Sequence, residues 1–121
     1  MSSISIKSIL EAAAAGRAAE ALGGMSALLR EHSDCPYLLV WQAILIQMQD
    51  PAGEQTLEDA EASLLRAHAT DPNYLPALEE LAHYYDAVSP DPAKAVAFAS
   101  RYIEKSQKVL DEMRTIVNAA A

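Results

Sequence analysis

Few residues in this chain could carry chemistry. His32 and Cys35 stand three apart, a metal-like separation. Structural zinc takes four ligands, however, and no second pair occurs at ligand spacing. Cys35 is the single cysteine, so it forms no internal disulfide, which agrees with a reducing compartment. His68 falls near the end of an alanine-rich helical stretch, where an imidazole favours the terminal carbonyls. Glu79, His83 and Asp86 stand at i, i+4 and i+7 and share one helix face. Carboxylates around an imidazole are the raw material of acid and base catalysis. Yet no nucleophile, glycine-rich turn or metal motif converges on them. The expectation is a chain that is not an enzyme and that uses no cofactor and no metal. A second stripe, Gln42, Ile46 and Gln49 with Leu39 one turn above it, repeats the same spacing earlier in the chain.

The elements that must position these stripes are helices. At 121 residues and 51 % hydrophobic content the chain is expected to form one domain with a real core. Alanine is abundant, glycine numbers 4, and the only β-like run is the short Leu38-Leu39-Val40-Trp41, so an all-α fold follows. No stretch reaches the 18 or so consecutive apolar residues of a membrane span. Near the N-terminus, Lys7 and Glu11 bracket only Ser8-Ile9-Leu10, too little for the apolar core of a secretory signal. A cytoplasmic protein is expected.

Punctuation divides the chain into six helices. Ser3 or Ser5 caps the first, Gly16 ends it, and the second runs from Arg17 to about His32 through Gly23-Gly24. Each glycine costs roughly 1 kcal/mol in a helix interior, so the pair is expected to mark a close approach to the first helix. Asp34-Cys35-Pro36 opens the third helix. Thr56 with Asp59 forms a capping box that opens the fourth, after a linker over Asp50 to Gln55. Asp71-Pro72 closes the fourth near Thr70 and, with Asp71 as cap, is expected to open the fifth. Ser89-Pro90-Asp91-Pro92 precedes a long final helix reaching Asn118.

Pro36 and Pro72 lie 36 residues apart. The segment between Ala60 and Tyr85 places small and apolar Ala60, Leu64 and Ala67 before the break, and Leu78, Leu81, Ala82 and Tyr85 after it. That order and interval resemble the tetratricopeptide repeat, a unit of roughly 34 residues with an alanine-rich second helix and a proline at the turn. The resemblance implies a right-handed stack of about three helix-turn-helix hairpins with a long C-terminal capping helix, over residues 1 to 121. It also implies that Leu39, Gln42, Ile46, Gln49, Glu79, His83 and Asp86 line a concave groove where a partner segment binds.

Charge sets the partner class. The chain carries −8, and residues 51 to 90 hold eight acidic groups against Arg66 alone, a local −7. Such a field repels a phosphate backbone and excludes nucleic acid as the expected partner. The expected ligand is a protein or peptide with apolar and basic character, bound by a non-catalytic adaptor or chaperone-like module. The alternatives are an acidic inhibitor or immunity-type protein that masks a basic surface of a toxin or nuclease, and a small helical enzyme.

Overall fold

The computed structural model describes residues 5–49 and 56–120, which form helices joined by short turns, with no strand among them. The linker expected over Asp50 to Gln55 lies outside the described residues. The helices are α1 (Ile6–Ala14), α2 (Ala18–Glu31), α3 (Pro36–Met48), α4 (Leu57–Thr70), α5 (Leu75–His83) with a π turn (Tyr84–Val88), and α6 (Pro92–Ala120). They fall into two compact units, Met1–Pro72 and Asn73–Ala121.

In the first unit, local chemistry sets the helix ends. Ser5 Oγ accepts the Ser8 N–H at 3.2 Å and caps α1. At the other end, Gly16 takes φ +81, and the Gly16 and Arg17 N–H groups bond Ala13 and Ala12 carbonyls at 3.0 and 2.8 Å. These two bonds are the Schellman pattern, which a left-handed residue such as glycine makes possible. Thr56 and Asp59 cap α4 reciprocally, at 3.3 and 2.8 Å. α2 is unbroken through Gly23-Gly24. A Cβ added at Gly23 would meet nothing within 4 Å, so close packing does not explain that glycine.

α3 is apolar around most of its circumference and buries Leu38, Leu39, Val40, Ala43, Leu45 and Ile46. A helix of that kind belongs in a core, and α3 packs against both α2 and α4. Facing it are Met25 from α2 and Ala60, Leu64 and Ala67 from α4, all essentially inaccessible. α1 packs against α2 through Ile9, Ala12 and Ala13.

In the second unit, α5 and its π turn pack on the first half of α6. The fifth helix does not open at Pro72. Asp71 is the C-cap of α4, its N–H bonded to the Ala67 carbonyl at 3.0 Å. Tyr74 occupies the N-cap of α5, and Pro76 is the proline of its first turn. Two prolines four apart both suit a first turn, where the missing donor costs nothing.

The π turn has a local cause. Pro90 and Pro92 have no N–H to offer. Asp91 N–H takes the Tyr85 carbonyl at 2.8 Å, and Ser89 N–H bonds Tyr84 five residues back at 2.9 Å. Tyr84 and Tyr85 are thereby both buried, their rings edge to face with centroids 5.2 Å apart. Asp91 Oδ1 accepts the Lys94 N–H at 3.3 Å and opens α6 behind Pro92.

Candidate functional site

The residues expected to line a groove divide between the two units, Leu39 to Gln49 in the first and Glu79 to Asp86 in the second. Leu39 and Ile46 are only 3 % exposed. Gln42 and Gln49 are half-buried. Leu39, Gln42 and Ile46 do meet at one place, a cleft of about 280 Å³ closed on its other side by Asp59, Ala62, Ser63 and Arg66 of α4.

The polar rim of this cleft is largely occupied by its own contacts. Ser63 Oγ lies 2.7 Å from the Leu39 carbonyl oxygen and 2.9 Å from the Gln42 side-chain amide. A hydroxyl has one proton to give. The Leu39 carbonyl and Gln42 Oε1 therefore compete for the Ser63 proton, and the Leu39 carbonyl is the nearer acceptor. Arg66 donates through Nε and one terminal nitrogen to Asp34 Oδ1, at 3.1 and 2.8 Å. The cleft is therefore a floor of two aliphatic side chains under a hydrogen-bonded edge.

On the second unit Glu79, His83 and Asp86 are all exposed. Glu79 and His83, one α turn apart, share a face of α5. Asp86 lies inside the π turn, whose wider coil takes more residues per turn, so seven residues no longer restore the direction of Glu79. The neighbouring Glu80, which the sequence stripe omits, is half-buried. Burial pushes its carboxyl above the ordinary value of 4.5, the charge on Glu79 pushes the same way, and His83 opposes them. Among the described residues, no ion pair within 4 Å engages Glu79, Glu80 or Asp86.

His32 is exposed, and Cys35 is the half-buried N-cap of α3, its N–H bonded to the His32 carbonyl at 3.2 Å. Among the described residues, no group of three or more His, Cys, Asp and Glu is placed to hold a metal ion. No helix among them is long and apolar enough to cross a membrane.

Two further features escape the polar stripes. Tyr85 stacks on Phe98 at 5.9 Å with planes 14° apart, and Lys94 Nζ sits 5.1 Å from the Tyr85 ring centre. The second half of α6 exposes Val109, Leu110, Met113, Ile116 and Val117. Their helical spacing is plain in the sequence, but spacing alone does not say that a face lacks a cover. No protein-family model, no curated protein and no solved structure matches this chain.

Proposed function

We propose that the protein is a non-catalytic interaction module that holds a basic, partly apolar segment of another protein on the acidic side of α5. The observation that carries this reading is the exposure of Glu79 and Asp86 beside half-buried Glu80, none of the three engaged by an ion pair among the described residues, with the Glu80 carboxyl raised by burial first and by the Glu79 charge second. A lysine or arginine from a partner would favour the ionised form of these carboxylates, so binding is expected to depend on charge at Glu79. A tetratricopeptide-like stack of hairpins in a cytoplasmic protein belongs to the same reading. It is supported by the packing of α1 on α2, α3 on α4 and α5 on α6, and by proline in the first turns of α3, α5 and α6.

Calorimetric titration with a lysine-rich amphipathic peptide tests it. Affinity should fall for Glu79→Lys and fall as salt is raised. Indifference to both would end the proposal. The second reading, an inhibitor that masks a broad basic surface, draws on Glu58 and Asp59, exposed at the start of α4. It requires Glu58→Lys to weaken a basic protein ligand as much as Glu79→Lys does.

A further inference from the structure

α6 is far longer than what covers it. Its 29 residues extend about 43 Å, whereas the 14 residues from Leu75 to Val88 extend about 21 Å. The two run in opposite directions: Tyr85 stacks on Phe98 near the start of α6, and Leu75 meets Lys105, Lys108 and Val109 across a cleft of about 360 Å³. Within this unit, cover from α5 therefore ends near Glu112. Every residue from Gln107 to Ala120 is exposed.

The exposed surface of α6 is not polar. Val96, Ile103, Leu110 and Val117 recur every seven residues and are 64, 60, 50 and 67 % exposed. Met113, three beyond Leu110, is 49 % exposed, and Val109 and Ile116 widen the stripe at 45 and 60 %. A seven-residue apolar repeat keeps one line of side chains on one side of a helix; helices that wind on one another add a second apolar position per heptad, held here by Ala99, Ser106, Met113 and Ala120, of which Met113 is the large apolar one.

We propose that α6 pairs with α6 of a second copy of this chain, burying the stripe centred on Ile103, Leu110 and Val117. Charge selects a second copy over other occupants. From Val96, where the stripe begins, to Ala120, four cations (Arg101, Lys105, Lys108, Arg114) stand against three anions (Glu104, Asp111, Glu112), a net +1 in a chain of net −8. Two copies repel each other elsewhere, but along this segment they meet with little net charge. A basic partner finds no net attraction on this stripe, whereas an identical helix offers it the same apolar seam. Area is adequate as well. Covering Ile103, Val109, Leu110, Met113, Ile116 and Val117 completely on both copies would remove at most roughly 1,200 Å² from water, the lower end for a stable association.

Sedimentation of the full chain from low micromolar to millimolar concentration tests this. The expected result is a shift from 13.0 kDa to twice that mass. Leu110→Glu should stay monomeric at least tenfold higher in concentration. Thr115→Glu adds the same charge on the far side of the helix and should dimerise as the wild type does. Val117→Glu repeats the test near the helix end should Leu110→Glu lose helicity by circular dichroism. A wild type that stays monomeric at millimolar concentration would overturn the inference, as would Leu110→Glu pairing normally or Thr115→Glu dissociating equally. Loss in Leu110→Glu of a different, captured protein by a monomeric wild type would also overturn it, and would give the stripe to that protein. Glu79 is unaltered in all of these variants, so the peptide titration on α5 is decided separately.

Discussion

Ser63 on α4 donates its hydroxyl proton to the main-chain carbonyl of Leu39 on α3, 2.7 Å away and out of reach of solvent. It is the one buried polar side chain among the described residues, and it ties together the two helices that pack most extensively in the first unit. Replacing it with alanine leaves Leu39 its place in the α3 ladder but strips both Leu39 and Gln42 of a partner. Ser63→Ala should lose about 1 kcal/mol in urea unfolding. A smaller loss for Ser63→Ala than for the exposed Ser8→Ala would mean that the contact contributes nothing.

Gly23 offers a test of opposite sign. It is exposed inside α2, and a methyl group there would touch nothing. The backbone entropy that glycine surrenders in a helix is then uncompensated by any packing gain. Gly23→Ala should raise stability by roughly 0.5–1 kcal/mol. Destabilisation would show that the α2 backbone needs glycine for a reason other than space.

Gly16, Thr56 with Asp59, and Asp91 with Pro92 were legible in the sequence because each acts on the backbone within a few residues of itself. Pro72 and Pro76 were not distinguishable in that way. Both satisfy a helix first turn, and the choice falls to Ala77 and Leu78, whose burial is a tertiary matter. The π turn was hidden for a similar reason, since it depends on which carbonyl the Asp91 donor finds past two prolines. On α5 the contrast of Glu79 and His83 with buried Leu78 and Leu81 reads directly as an open face. On α3 that contrast is missing: apolar residues surround the helix, so the spacing of Leu39 and Ile46 does not separate the core side from the cleft side.

Phe98 supports the turn between α5 and α6 by stacking on Tyr85, with the Arg101 guanidinium 5.8 Å from its ring centre. Because Phe98 is half-buried, Phe98→Ala should cost about 2–3 kcal/mol, below the range for a fully buried ring. Val96→Ala, on the exposed stripe two residues away, is the control for helix propensity. Equal costs for the two would mean that the ring stack does not hold the turn.

Glu80 gives a pH dependence whose sign is fixed by its neighbours. Burial first, and the Glu79 charge second, raise its carboxyl above 4.5 in the folded protein, with His83 opposing. The folded state then holds this proton more tightly than the unfolded chain. The stability it contributes is complete below the unfolded value and is lost as pH rises through the raised folded value. Glu80→Gln removes the charge at every pH. It should therefore melt higher than the wild type at pH 7, and the difference should shrink as pH is lowered through the carboxylate range. Because burial is the larger cause and is not screened, most of the gain should survive added salt, which weakens only the Glu79 contribution. Thermal melts of both proteins at acidic and neutral pH, with and without salt, check all three statements. A gain that grows toward acid would reverse the sign of the shift, and a gain abolished by salt would make Glu79 rather than burial its cause.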